Sequence, residues 1–117
     1  MKTLLKKKCV PCEKGTRPLS RAQALNHLRS LKNWAFSAAG RSIKSEYLMK
    51  DFMAAIGFIG RIAKIAEKED HHPDIHLTGY RQLVVEISTH AIGGLSENDF
   101  ILAAKIDKLP KKLKIKS

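Results

Sequence analysis

Hydrophobic residues between Asp51 and Glu67 recur at steps of three and four positions, the spacing of one face of an α-helix. This pattern predicts a long amphipathic helix over the segment. Its apolar positions are Phe52, Ala55, Ile56, Ile59, Ile62, Ala63 and Ala66. We expect the helix to end near Asp70, because Pro73 disfavours helical geometry at the residue before it.

Two further helices are predicted, one on either side of the long helix. Ser20 begins the first, and Gln23 completes a capping box three residues later. The apolar face of this helix consists of Ala24, Leu25, Leu28 and Leu31. Ser96 begins the last helix, which has Asp99 three residues inside it and runs to about Leu109, before a proline.

Extended segments are predicted where the hydrophobic period falls to two residues. The clearest covers 80–89, in which hydrophobic and polar positions alternate. Residues 34–38 and 42–48 flank Ala39-Gly40 and are predicted to form a hairpin, while 74–79 begin a sheet edge or a loop leading into it. Antiparallel strands with the helices on one face would let each helix cover the apolar side of the sheet, so the pattern favours an α+β fold.

Length and composition agree with a small globular domain. With 117 residues, 44% of them hydrophobic, the chain fits one domain with a single core. No apolar run approaches the roughly 20 residues of a membrane-spanning helix. The opening apolar stretch is too short for a signal-peptide core and is followed by Lys6, Lys7 and Lys8, so we expect a cytoplasmic protein.

Much of the net charge of +11 lies at the two ends of the chain. We therefore divide the sequence into a basic N-terminal arm over 1–18, a folded domain over 19–110 and a basic C-terminal tail over 111–117. A basic tail can attract nucleic acid or acidic partners. No basic stripe interleaved with aromatic residues accompanies it, so we favour solvated, solubilising ends and do not expect nucleic-acid binding.

The two cysteines, Cys9 and Cys12, form a Cys-x-x-Cys pair in the arm. Such a pair is half of a zinc site. No second pair completes it, although histidines could supply the remaining ligands. A thioredoxin-like role needs the pair between a strand and a helix. We therefore predict a reduced pair without metal or redox function.

Titratable side chains are concentrated between positions 67 and 99. They are Glu67, Asp70, His71, His72, His76, His90 and Asp99. Histidine accepts and donates protons near neutral pH. The end of the long helix and the end of the clearest strand are places where side chains converge, so histidines beside carboxylates predict an acid–base site.

A structural role is the alternative for each of these residues. His71 and His72 could cap carbonyls at the end of the long helix. Asp99 could be only the inner partner of a capping box, and His90 could be an ordinary strand-end residue. We assign His76 to the surface or to a structural role. A metal site is disfavoured, because adjacent histidines rarely share one ion and no H-E-x-x-H spacing is present.

The segment Glu67-Lys68-Glu69-Asp70-His71-His72-Pro73 resembles the signature of the pterin-4a-carbinolamine dehydratases. The family pattern continues with an aromatic residue, a histidine and an aspartate. The matching residues here are Tyr80, His90 and Asp99, and Trp34 and Phe52 also fit. The resemblance covers about residues 18–109 and is specific as an ordered set. It implies a four-stranded antiparallel sheet with three helices packed on one face, and a homodimer or homotetramer.

The resemblance also implies an activity, that of a hydro-lyase acting on 4a-hydroxytetrahydrobiopterin or a related 4a-hydroxytetrahydropterin. The product, quinonoid dihydropterin, would be recycled for an aromatic amino-acid hydroxylase, and no cofactor or metal is implied. The implied catalytic set is His71, His72 and His90, and we expect His72 to be the main proton-transfer residue. The residues expected to bind or orient the substrate are Glu67, Asp70, Ser88, Thr89, Asp99 and Trp34; Trp34 is equally well explained as a core residue.

A non-catalytic role is the alternative function. Some animal members of the family act as dimerisation partners of a homeodomain transcription factor, so the same fold could serve as a coactivator-type binding protein. The acid–base residues argue that such a role would be secondary, because a scaffold has no need of those side chains together.

Overall fold

The computed structural model describes residues 2–10 and 16–115 of the chain. This part of the chain forms four α-helices and four β-strands. They are α1 (Lys2–Lys6), α2 (Arg21–Leu28), β1 (Ala35–Ser37), β2 (Ser42–Leu48), α3 (Phe52–Glu69), β3 (Asp74–Thr78), β4 (Gln82–Ile87) and α4 (Glu97–Asp107). Short 3₁₀ turns at Ala38–Gly40 and His90–Ile92 lie after β1 and β4. Cys12 lies outside the described residues.

The strands form one antiparallel sheet in the order β1-β2-β4-β3. Ile43 on β2 lies opposite Ile87 on β4, and Ile75 on β3 lies opposite Val85 on β4. The pairing of β1 with β2 confirms the predicted hairpin. Residues 74–79, predicted to begin a sheet edge or a loop, contain the edge strand β3. The predicted α+β fold with a four-stranded antiparallel sheet is confirmed.

One face of the sheet forms the hydrophobic core. Buried and less buried residues alternate along β2 and β4, as a period of two residues requires. Ile43 and Ile87 on that face belong to one buried cluster with Phe58 and Ile62 of α3 and with Phe100 of α4. Burial of each such side chain stabilises the fold by about 1.5–3 kcal/mol. The helices therefore cover a single face of the sheet, as predicted.

Helix α4 is buried around most of its circumference. Every residue from 98 to 104 is buried, because α4 contacts α1, α2 and α3 as well as contributing to the core. Asp99 is therefore carried into the interior, next to the buried side chains of Phe100, Ile101 and Leu102. This placement matters for the site described below, because a carboxylate in such surroundings needs hydrogen-bond donors.

The buried face of α3 differs in part from the predicted one. Ala55, Ile62 and Ala66 are buried as expected, but Phe52 and Ile56 are exposed, and Phe58 is fully buried although it was not among the predicted positions. The apolar arc of α3 is wider than the strip that the sheet and α4 cover. Periodicity locates such an arc, but neighbouring elements select which part of it is buried.

Parts of both ends contact the folded domain, while Lys6, Lys7 and Lys8 stay exposed. Leu4 of α1 is buried against the core. In the C-terminal segment, the Lys112 carbonyl accepts a hydrogen bond of 2.9 Å from the Lys50 N–H, and the Lys114 N–H donates one of 2.9 Å to the Leu48 carbonyl. The segment thus continues the sheet beside β2. No helix among the described residues is long and apolar enough to cross a membrane.

Candidate active site

A sharp corner ends α3 before the chain enters β3. Asp70 has left-handed backbone geometry, with φ of 51°. The Asp70 N–H donates to the Glu67 carbonyl at 3.3 Å, and the His71 N–H donates to the Ala66 carbonyl at 3.1 Å. These two bonds form a Schellman motif, the usual way to satisfy the last carbonyls of a helix. They also fix the backbone from which the two histidine side chains extend.

His71 forms a short hydrogen bond with the buried carboxylate of Asp99. The distance from Nε2 to Oδ1 is 2.7 Å, and the two side chains are 12% and 0% exposed. A carboxylate only accepts hydrogen bonds, so Nε2 of His71 carries a proton and Nδ1 is the nitrogen left to exchange one. The carboxylate of Asp99 therefore holds the imidazole of His71, the candidate base, in one orientation.

Two more donors satisfy the other oxygen of Asp99. The Thr89 hydroxyl donates to Oδ2 at 2.9 Å, and the Ser96 N–H donates to the same atom at 2.8 Å. The Thr89 and Ser96 hydroxyls lie 2.7 Å apart. Asp99 is thus the inner partner of the predicted capping box and also the partner of His71. The capping role of Asp99 is therefore present in the structure, and its chemical role stays a prediction that the bond from its other oxygen to His71 allows.

His72 is paired with a different carboxylate, in a different environment. Its Nε2 lies 2.5 Å from Oε2 of Glu67, five positions earlier at the end of α3. The two side chains are 55% and 76% exposed. Solvent weakens the attraction between such exposed groups, so this pair holds the imidazole less firmly than Asp99 holds His71.

A cavity of about 330 Å³ lies at the end of β4. Ser88, Thr89 and His90 contribute to its wall, and Thr89 also hydrogen-bonds Asp99, so this residue connects the cavity with the His71–Asp99 pair. His90 is exposed and begins the 3₁₀ turn. The other lining residues are Ala38, Arg41, Ser42, Asp74, Glu86, Gly93 and Gly94.

The wall of this cavity also contains charged side chains that sequence analysis did not select. The Ser42 hydroxyl donates to Glu86 at 2.5 Å, and this bond, with one from the Ser37 hydroxyl, lowers the pKa of Glu86. Asp74 lies opposite Glu86 in the sheet. Only the register of three strands brings Ser42, Glu86 and Asp74 together, and no local pattern in the chain reveals that register.

Of the predicted site residues, Ser88, Thr89 and His90 line this cavity; those that do not line it are Glu67, Asp70, His71, His72, Asp99 and Trp34. Trp34 is buried in the core and its indole N–H donates to Asp107 at 2.7 Å, so of its two proposed roles the structure matches the core residue. His76 is exposed on β3 opposite Val84. Across residues 2–10 and 16–115, no three histidine, cysteine or acidic side chains form a group that could hold a metal ion.

Comparison with known proteins identifies the family of the chain. The family model described as pterin 4 alpha carbinolamine dehydratase matches residues 17–109. A curated relative from Halorhodospira halophila that bears the family name is 46% identical over 107 residues, covering 92% of this chain and 97% of the relative. The Arabidopsis thaliana protein named pterin-4-alpha-carbinolamine dehydratase 2, mitochondrial, is 45% identical over 106 residues, covering 88% of this chain and 57% of that protein.

A solved structure gives the same assignment. The crystal structure of a transcriptional coactivator/pterin dehydratase from Brucella melitensis superimposes with a TM-score of 0.72 and 32% identity, covering 78% of this chain and 96% of that one. The predicted family and the predicted enzyme class are therefore confirmed. The chain belongs to the pterin-4a-carbinolamine dehydratase family of hydro-lyases.

Proposed function

We propose that the chain eliminates water from a 4a-hydroxytetrahydropterin, such as 4a-hydroxytetrahydrobiopterin, by histidine acid–base catalysis. The observation that carries this proposal is the hydrogen bond between His71 and the buried Asp99, which is linked through Thr89 to the cavity at the end of β4. Family membership supports the class of substrate.

The proposed reaction requires one acid and one base. The C4a–O bond breaks, and the hydroxyl leaves as water when a proton is supplied to its oxygen. The proton on N5 is lost while the C4a=N5 bond forms, so the products are one water molecule and the quinonoid dihydropterin. Each well-positioned proton-transfer group contributes about 10²–10⁴-fold to the rate of such a step.

We assign the principal proton transfer to His71, although the sequence alone led us to expect His72. His71 is oriented by a buried carboxylate that itself has two further donors, whereas His72 is paired with a solvent-exposed one. A carboxylate behind an imidazole fixes the ring and stabilises its protonated form. His72 and His90 complete the catalytic set, and their greater exposure suits exchange of protons with solvent.

The substrate would bind in the cavity at the end of β4. Its volume of about 330 Å³ is at the small end of the range of ligand sites and suits a bicyclic ring. We propose that the main chain of Ser88 and Thr89 and the corner at Asp70 bind the amide and amine edge of the pterin. Glu67 and Asp99 orient His72 and His71.

The remaining expectations extend this proposal to the cell. We propose that the protein is a cytoplasmic homodimer or homotetramer and that it supports recycling of the pterin cofactor of an aromatic amino-acid hydroxylase. The non-catalytic coactivator-type role is not favoured, because the histidines retain carboxylate partners that a scaffold does not require.

A direct assay tests the activity. Freshly prepared 4a-hydroxytetrahydropterin is mixed with the purified protein, and the change in absorbance on dehydration is compared with the spontaneous rate. We expect clear acceleration by the unaltered protein and loss of most of it in His71→Ala. His76→Ala is the matched control, because it removes an exposed histidine that is outside the proposed catalytic set. A rate equal to the spontaneous one with the unaltered protein would contradict the proposal.

A further inference from the structure

Two buried polar residues that have no role in the proposed catalysis lie just before His71 and Asp99 in the chain. Glu69 precedes His71 by two positions at the end of α3, and Asn98 precedes Asp99 in the first turn of α4. Both are buried, at 8% and 5% exposed. Burial of such groups is costly unless they are hydrogen-bonded, so their partners indicate what they hold in place.

Glu69 connects three elements through its two carboxylate oxygens. Oε1 accepts a hydrogen bond of 2.9 Å from the Cys9 N–H, and Oε2 accepts one of 2.8 Å from Nζ of Lys105 on α4. Burial by itself raises the pKa of Glu69, but the bonds from Lys105 and Cys9 outweigh it and leave the pKa below its ordinary value. The last turn of α3 is therefore attached as a charged group to α4 and to the N-terminal arm.

Asn98 attaches the arm to the first turn of α4 on the other side. Its Oδ1 accepts from the Val10 N–H at 3.0 Å, and its Nδ2 donates to the Val10 carbonyl at 2.5 Å. The two bonds, to the N–H and the carbonyl of the same residue, fix the side-chain amide and the backbone of the arm together. Adjacent arm residues thus contact the residue two positions before His71 and the residue immediately before Asp99.

The arm itself is held against the domain at several points. Leu4 is buried, and Nζ of Lys7 lies 2.9 Å from Oε2 of Glu97 in an exposed ion pair. The Cys9 thiol donates to the Asn98 carbonyl at 3.5 Å. Burial, together with the negative charge of Glu69, raises the pKa of Cys9 to about 12, so the thiol stays protonated and its role is packing.

We propose that Cys9 and Val10 of the arm, together with Glu69 and Asn98, form a positioning clamp that sets the hydrogen bond between His71 and Asp99. The clamp holds the end of α3 and the start of α4 at the separation this bond requires. Its residues are positioning residues and do not contact substrate. The expected effect on catalysis depends on the proposed dehydratase function, whereas the effect on the hydrogen bond does not.

The test compares three variants in the full-length chain. Asn98→Ala removes both bonds to Val10, and Glu69→Gln removes the charge that Lys105 pairs with. Lys7→Ala is the matched control, because it loosens the same arm at an exposed ion pair without touching the clamp. Two quantities are measured: the NMR resonance of the Nε2 proton of His71, and the kcat and KM of dehydration.

We expect both clamp variants to shift or broaden the His71 proton resonance. They should also lower kcat by about tenfold and change KM by less than about twofold, because small misplacement of a catalytic group acts mainly on the chemical step. Lys7→Ala should leave both quantities unchanged. Circular dichroism checks that the variants are folded. If Asn98→Ala does not fold, Val10→Pro removes the donor of the same bond from the exposed arm side.

The clamp is overturned if folded Asn98→Ala or Val10→Pro keeps the His71 resonance of the unaltered protein. It is equally overturned if Lys7→Ala changes that resonance as much as Asn98→Ala does. Failure of the proposed dehydratase function has a different signature, the absence of rate acceleration in the unaltered protein, and the NMR comparison still decides the clamp in that case.

Discussion

His71 and His72 are neighbours in the chain, yet the fold places them in opposite environments. The His71–Asp99 pair is almost wholly buried, and its carboxylate has further donors in Thr89 and Ser96. The His72–Glu67 pair is mostly exposed. A buried charge-assisted hydrogen bond keeps one geometry, whereas an exposed pair competes with water. Identical residue types one position apart can therefore have a fixed role and a mobile role in the same site.

The largest expected difference between the two pairs is in catalysis. We expect His71→Ala to lower kcat/KM by about 10²–10⁴-fold, because it removes the only oriented proton-transfer group of the two. His72→Ala should have a smaller effect, since solvent can replace part of a proton exchange at an exposed position. Steady-state kinetics of both variants measures this, and a larger loss in His72→Ala would reverse our assignment of roles.

The second-largest difference is expected between the two carboxylate partners, Asp99 and Glu67. Asp99→Asn keeps the size of the side chain but removes the charge that stabilises protonated His71, so we expect kcat to fall by about 10²-fold or more. The asparagine amide has one accepting oxygen and cannot accept from His71 on one side and from Thr89 and Ser96 on the other, so the free energy of unfolding should fall by about 1–3 kcal/mol. Kinetics and urea denaturation provide the two measurements. Unchanged kcat with lowered stability would assign Asp99 to the capping box alone.

Thr89→Val isolates the connection between the cavity and the buried pair. Valine has nearly the shape of threonine but removes the hydroxyl that donates to Asp99. We expect the free energy of unfolding to fall by about 1–3 kcal/mol, because a buried acceptor loses a partner. Urea denaturation measures this, with Ser88→Ala as the control on the same cavity wall. Equal stability of Thr89→Val and the unaltered protein would contradict the importance of this bond.

The smallest effect on catalysis is expected at the exposed pair. Glu67→Gln should change kcat/KM by less than about fivefold, as for other exposed ion pairs.

The buried Glu69 should have a pH-dependent effect on stability. Its pKa is lowered in the folded chain, so its stabilisation is fully present above the ordinary value of 4.5 and is lost as pH falls through the lower folded value. The stability difference between unaltered protein and Glu69→Gln should therefore shrink below pH 4.5, with Glu67→Gln as the control.

Much of the fold could be predicted from local patterns. The capping box at Ser20 and Gln23, the end of α3 at Asp70 and the hairpin around residues 39–40 all appear where neighbouring residues alone indicate them. The burial of Phe58 was not predicted. It depends on which elements cover this position, and periodicity does not contain that information.

The candidate site was predicted as a set of residues, and the structure separates that set by environment. Trp34 joins the core with Asp107, whereas Thr89 connects Asp99 with the cavity. Glu86 was not selected, because no motif marks it. It lies at the cavity through strand register, which pairs it with Lys44, more than forty positions earlier.

By itself, the sequence determined the three longer helices, most strands, the family and the residue types available for acid–base chemistry, because each of these depends on local spacing or on an ordered set of letters. The short helix α1 was not predicted. Only the tertiary structure decided that Asp99 faces His71 and that Glu67 faces His72. It also decided that Cys9 and Val10 contact both helices beside that arrangement, α3 at Glu69 and α4 at Asn98. The reason is that burial and hydrogen-bond partners are set by segments distant in the chain, whose mutual packing no local pattern specifies.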